Sequence, residues 1–113
     1  LRLPIVWTEA RRRGHTLSQV ARWLCEGPAR LLGLDDRKGV LAEGADADLA
    51  IWDPEEMFHV KRAQMHQRHK LTPYAGEALA GVVQATFLKG RRIFEDGNFF
   101  GRPAGSLLER EAR

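Results

Sequence analysis

Cysteine is almost absent from the sequence, since Cys25 is the only one and no disulfide can form within the chain. A lone thiol favours a reducing compartment, and we expect a cytoplasmic location. Because Cys25 falls on the apolar side of a helical pattern, it is predicted to be a buried, unreactive thiol. A fold that depends on disulfides is therefore excluded.

Long apolar runs are also missing. No stretch approaches the roughly 20 residues that a transmembrane helix needs, so we expect no membrane association. Residues 1–8 contain too few apolar positions for a secretory signal peptide. The chain starts with Leu1 rather than Met, which suggests a piece of a longer protein. With 43% hydrophobic and 29% charged residues, its composition is that of an ordinary globular domain.

Motifs of self-sufficient active sites are absent as well. No phosphate-binding glycine-rich loop is present, and neither Ser18 nor Ser106 lies in a nucleophile elbow. His66 and His69 are spaced by about one helical turn, whereas a zinc site needs three or four ligands. The other candidates lack metal-site spacing: His15, His59 and Cys25. We expect no metal site wholly within this chain.

Three aspartates, Asp46, Asp48 and Asp53, superficially resemble calcium ligands. An EF-hand loop needs oxygen ligands at alternate positions through the fifth and Gly at the sixth, but Ala50 and Ile51 stand at those two positions. We interpret Asp46 and Asp48 as residues that cap a turn and tie the start of a strand to backbone N–H groups.

The chain is weakly basic, with 18 Lys and Arg against 15 Asp and Glu and a net charge of +3. The cations cluster at residues 11–13, 61–70 and 89–92. A non-catalytic basic binding module built on residues 61–70 is one hypothesis, because such a surface attracts phosphate backbones. Acidic residues are interspersed and the excess is small, so we favour a solvated surface and do not expect nucleic-acid binding.

The first third of the chain is predicted to be helical. Residues 4–13 have Pro4 near their start and arginines in the last turn, followed by Gly14. Strands are predicted only later in the chain, and no internal repeat is present. Helices followed by strands indicate two regions rather than one α/β layer.

A second helix is predicted over residues 17–25, where apolar residues recur on one face. Thr16 and Gln19 match a capping box at its start. Residues 27–28, Gly-Pro, are expected to end this helix. Pro28 can also begin a further short helix over residues 29–32, which stops at the following glycine.

A strand is predicted over residues 46–53. Its apolar run is continuous rather than alternating, so both of its faces are expected to be covered. Pro54 should close the strand because proline cannot continue a hydrogen-bonded ladder. Residues 57–60 are a candidate for another short strand. Residues 61–76 have no regular pattern and predict a long polar loop with at most one helical turn.

A hairpin is predicted near the end of the chain. Residues 80–88 form its first strand, and Ile93 and Phe94 belong to its second. Residues 89–90, Lys-Gly, lie at the turn. Since lysine tolerates positive φ poorly, we expect a longer, bulged loop there. Residues 96–97, Asp-Gly, predict a second turn.

Two stretches carry a resemblance to a known family. Residues 38–53 (KGVLAEGADADLAIWD) are similar to the segment that follows the barrel in many metal-dependent cyclic amidohydrolases. Residues 28–34 (PARLLGL) look like the preceding helix of that family. The second stretch is residues 66–76 (HQRHKLTPYAG). Together with residues 79–83 and 86–90 and the tail from residue 97 to 107, it resembles the allantoinase version of this pattern. Relatives of the hydantoinase and dihydropyrimidinase type are the main alternative.

The resemblance implies an α+β fragment of a larger fold. Residues 1–34 would be the last helices of a (β/α)8 barrel, whose active site lies at the C-terminal face of its strands. Residues 38–100 would be the C-terminal share of a small β-sandwich, with the polar loop at 61–76. Residues 101–113 would be a tail. The missing N-terminal barrel portion would be the main partner.

The resemblance also implies an activity for the complete protein. Allantoinases open the hydantoin ring of allantoin to allantoate with two zinc ions bridged by a carboxylated lysine, a step of purine catabolism. None of that family's metal ligands or its catalytic aspartate has a counterpart in this sequence. We therefore assign no catalytic, substrate-binding or metal residue and expect no cofactor within this chain. The isolated piece should be inactive, and the complete enzyme should be a homo-oligomer.

Overall fold

The computed structural model describes residues 1–109, in which a helical part is followed by an antiparallel sheet. The helical elements are α1 (Arg2–Arg12), α2 (Leu17–Ala21), a π-helical turn (Arg22–Glu26) and α3 (Gly27–Leu32). The strands are β1 (Leu49–His59), β2 (Ala78–Leu88), β3 (Arg91–Glu95) and β4 (Asn98–Phe99). They pair in the order β1-β2-β3-β4. The predicted α+β class is confirmed, and the predicted tail is described only as far as residue 109.

The predicted capping box at the start of α2 is confirmed. Thr16 Oγ1 accepts a hydrogen bond from the Gln19 backbone N–H at 3.2 Å, and the Thr16 N–H donates to Gln19 Oε1 at 2.9 Å. Two N–H groups that have no partner inside the helix are thereby satisfied. Pro4 lies in the first turn of α1, where its missing N–H costs nothing.

The prediction that residues 27–28 end the second helix was wrong. Gly27 is helical, with φ −57° and ψ −54°, and its N–H reaches back to the Arg22 carbonyl in a π-helical turn. This wider turn precedes Pro28, which has no N–H to donate, and lets the chain continue into α3. The helix ends instead at Gly33, in the left-handed region at φ +69°.

The prediction of a buried Cys25 was also wrong, because its side chain is exposed. Cys25 lies inside the π-helical turn, where the wider spiral changes the phase of the apolar face. Leu24, its neighbour, packs against the core instead. A prediction based on a regular helical period therefore placed the Cys25 side chain on the wrong face of the helix.

Pro54 does not close β1. The register runs from Asp53 opposite Val82 to Met57 opposite Ala80, so the β1 side holds extra residues and bulges at the proline. Asp53 Oδ1 accepts the Glu55 N–H at 2.9 Å within this bulge. The ladder then resumes, and the separately predicted strand at residues 57–60 is the second half of β1.

The loop between β2 and β3 is shorter than predicted. Leu88 pairs with Arg91, so the turn contains only Lys89 and Gly90, with φ of +48° and +79°. Positive φ at both positions is what the commonest two-residue hairpin turn requires. Lys89 is held in this conformation because its N–H donates to Asp48 Oδ1 at 2.9 Å. The predicted second turn at residues 96–97 is confirmed and has the same form.

The core lies where α1 packs on β2. Its members are Trp7, Ala10, Val20 and Ala80. The Trp7 ring meets Trp52 edge-on, with centroids 5.9 Å apart. Gly81 lies beneath both rings, and a Cβ there would come within 3.0 Å of the Trp52 ring. Thr8 Oγ1 accepts the Ala80 N–H at 2.8 Å, so the helix also completes the hydrogen bonding of the strand.

Part of the sheet surface is open. Ile51 and Met57 of β1 are 49% and 53% exposed, so the expectation that both faces of this strand are covered was wrong for residues 1–109. β1 and β4 are the outer strands of the sheet. Open edges and exposed apolar side chains favour association. No helix within residues 1–109 combines the length and apolar character that crossing a membrane requires.

We expect the isolated chain to self-associate through this open surface. Analytical ultracentrifugation should show species larger than a monomer, and the double substitution of Ile51→Thr and Met57→Thr should reduce them. Leu107→Thr, at an exposed apolar position in the tail, is the matched control and should leave association unchanged. A compact, stable monomer would contradict this expectation.

Gly39→Ala should destabilise the chain more than Gly14→Ala. Both glycines have positive φ, +87° and +80°, so alanine is strained at either. Only at Gly39 does a Cβ meet other atoms, 2.6 Å from Ala29 Cβ and 2.8 Å from the Cys25 carbonyl oxygen. We expect a further loss of about 1–3 kcal/mol in the free energy of unfolding, measured by urea denaturation. Equal losses would show that this close approach does not constrain the fold.

Candidate functional site

The histidines considered as metal ligands lie in separate surroundings. His15 packs edge-on against Trp23, with ring centroids 4.9 Å apart, and Gln19 Oε1 lies 3.3 Å from its Nδ1. His66 packs against Phe99 in β4, with centroids 4.8 Å apart. Among residues 1–109, no group of three or more His, Cys, Asp or Glu side chains could hold a metal ion. These histidines serve packing and hydrogen bonding.

The polar loop at residues 61–76 is held by hydrogen bonds where its two ends meet and by others within the loop. The Val60 N–H donates to the Glu77 carbonyl at 3.0 Å. Gln67 Nε2 donates to the carbonyls of His69 and Leu71, both at 2.8 Å. The loop contains one 3-10 turn, as predicted. Its cationic side chains are exposed: Lys61, Arg62, Arg68 and Lys70.

Opposite charges converge at Lys38, Asp46 and Asp48, which we call the Lys38 cluster. Lys38 Nζ lies 2.8 Å from Asp46 Oδ2 and also donates to Asp48 Oδ2. The Lys38 side chain is only 12% exposed. Asp48 Oδ1 accepts the Lys89 N–H, so the prediction that Asp48 binds a backbone N–H is confirmed. The Asp46 carboxylate binds the ammonium group instead. The role of Lys38 was not predicted from the sequence, although a lysine that precedes two aspartates in the same motif was an available signal.

The Lys38 cluster is fully charged near neutral pH. Hydrogen bonds to Asp46, which has the larger effect, and to Asp48 raise the pKa of Lys38 above its ordinary value. The hydrogen bond from Lys38 lowers the pKa of each aspartate. A general base or acid works best when its pKa lies near the operating pH. These shifts move the pKa values of all three residues further from neutral pH. The geometry therefore indicates a structural ion cluster.

An open groove of about 470 Å³ lies beside α1. Its walls include Ile5, Val6 and Trp23, and its polar groups include Glu9 and Arg13. Side-chain hydrogen bonds from Arg12, the larger effect, and Arg13 lower the pKa of Glu9 to about 2. An active site normally places a few polar groups towards one point in an apolar pocket. Here the carboxylate is paired with surface arginines, so the groove has no catalytic arrangement.

Comparison with known proteins gives the family. The profile of the Amidohydrolase family matches residues 3–93. The chain is 50% identical over 111 residues to an allantoinase of Streptomyces avermitilis, covering 98% of this chain and 24% of that protein. It is 45% identical over 98 residues to probable allantoinase 2 of Dictyostelium discoideum, covering 87% and 19%.

The solved structures agree with this assignment. The L-hydantoinase (dihydropyrimidinase) of Arthrobacter aurescens superposes with a TM-score of 0.81 at 32% identity, covering 88% of this chain and 22% of that one. The chain thus spans no more than about a quarter of the length of these relatives. The profile match covers most of the sequence and the fold agrees, so the chain belongs to the amidohydrolase family.

Proposed function

We propose that this chain is the C-terminal structural part of an allantoinase, which opens the hydantoin ring of allantoin to allantoate. The observation that carries the proposal is the 50% identity to a named allantoinase over nearly the whole chain. Identity to the L-hydantoinase structure is lower, at 32%. A hydantoinase or dihydropyrimidinase type of activity is the alternative within the same reaction class.

The chain would contribute packing rather than chemistry to that enzyme. The helical part would supply the last helices of a (β/α)8 barrel, and the sheet would supply a share of a β-sandwich. The open surface around Ile51 and Met57 supports this role, because apolar side chains of a sheet are normally covered in a complete protein. The complete enzyme would be a cytoplasmic homo-oligomer that acts in purine catabolism.

The metal centre would belong to the part of the enzyme that this chain does not span. Zinc held there would supply activation of a bound water and polarisation of the ring carbonyl. The donors within residues 1–109 do not fit such a centre, because His15 and His66 pack against different aromatic rings. We therefore assign no step of the reaction to this chain.

The isolated chain should not hydrolyse allantoin, whereas the complete protein with zinc should. Allantoate formation from allantoin is the measurement, and ring opening of unsubstituted hydantoin to its N-carbamoyl amino acid separates the two candidate activities. The same protein with residues 1–113 deleted is the matched control and should be inactive because its fold is incomplete. Turnover by the isolated 113 residues would contradict the proposal, and a preference for hydantoin would favour the alternative.

A basic binding module is a second candidate, favoured by the exposed cations of the loop at residues 61–76, which contains no acidic residue. Binding to a phosphate backbone should weaken steeply with salt. We expect no measurable affinity for a single-stranded oligonucleotide at low salt. Salt-dependent binding that is lost in an Arg62→Gln, Arg68→Gln variant would instead establish this second function.

A further inference from the structure

The segment that joins the helices to the sheet is held mainly by polar contacts. We call residues 34–48 the connecting segment. Leu34 is its only buried residue, while Val40 and Leu41 are 45% and 84% exposed. Regions with few buried apolar contacts open at lower free energy than the core does. Hydrogen bonds and ion pairs must therefore keep the connecting segment in place.

Those bonds converge on the turn between β2 and β3. Asp48 Oδ1 accepts the Lys89 N–H, and the Ala47 carbonyl accepts the Gly90 N–H, both at 2.9 Å. The other oxygen of Asp48 is taken by Lys38. Within the segment, the Asp46 N–H donates to the Arg37 carbonyl at 2.9 Å. One carboxylate thus links the lysine side chain to the hairpin turn.

We infer that the Lys38 cluster is a joint that opens as a local unit. When it opens, the connecting segment and the β2–β3 turn separate while α1 stays packed on the sheet. Residues of the Trp7 core contribute nothing to these bonds, and the cluster contributes nothing to that core. Without the Lys38 ammonium group, Asp46 and Asp48 would be two adjacent, partly buried carboxylates that repel each other.

The joint is closed throughout the neutral range. The charged groups that face the cluster are Lys38, Asp46, Asp48 and Lys89. The lowered aspartate pKa values mean that their contribution is complete above the ordinary aspartate value and is lost as pH falls through the folded-state values, below 3.8. The raised pKa of Lys38 means that its contribution is lost only as pH rises beyond 10.5.

Amide hydrogen exchange of the 113-residue chain, read by NMR, tests this inference. In Lys38→Met, exchange at Asp46, Lys89 and Gly90 should become about tenfold faster or more, since hydrogen bonds to charged groups are the stronger kind. Exchange at the Ala80 amide, which donates to Thr8, should not change. As pH falls through the lowered pKa values of Asp46 and Asp48, below 3.8, the wild-type chain should show the same selective loss of protection relative to its own unfolded-state rates.

The control is Lys61→Met, which removes an exposed lysine of the polar loop and should change none of these amides. Asp48→Asn gives a second route to the same opening, because a neutral amide with one acceptor oxygen cannot replace the two oxygens that bind Lys38 and the Lys89 N–H. Unchanged exchange at Lys89 and Gly90 in both cluster variants would overturn the inference. So would equal acceleration at Ala80, or loss of the native Trp fluorescence, since either means that the cluster opens only with the whole fold.

Discussion

The seating of Trp7 between α1 and the sheet is the contact on which the rest of the arrangement depends. Its ring packs edge-on against Trp52, and its indole N–H donates to the Pro54 carbonyl at 2.9 Å. That carbonyl is free for the bond because the bulge interrupts the ladder. Gly81 leaves the space for both rings. A proline that would end a strand thus becomes the point at which the first helix is attached to the sheet.

The sequence predicted elements whose signals are local. The capping box at Thr16, the pairing of the two hairpin strands and the turn at residues 96–97 were predicted correctly because each follows from residue types a few positions apart. Errors arose where distant parts of the chain decide the outcome. Pro54 stays within β1 because Trp7 binds its carbonyl. Lys89 adopts positive φ because Asp48 holds its N–H.

For the candidate site, too, local sequence signals were informative and contacts between distant residues were not predicted. Sequence alone identified the family from two motifs, and the expectation that no active site lies within the chain stays a prediction. It did not predict that Lys38 is shared by two aspartates, because the residues between them could have followed many paths. In the structure these charges are paired with one another and with a backbone N–H, so the cluster offers no free base. The charged residues of the motif at residues 38–53 therefore have a structural role, which is to join the helices to the sheet.

The most direct test of this account is a crystal structure of the complete protein with anomalous diffraction recorded at the zinc absorption edge. The account predicts that every zinc ligand lies outside the 113 residues and that the helices of this chain pack against a surrounding barrel. A zinc ion within coordination distance, roughly 2.0–2.3 Å, of His15, His59, His66 or His69 would contradict it.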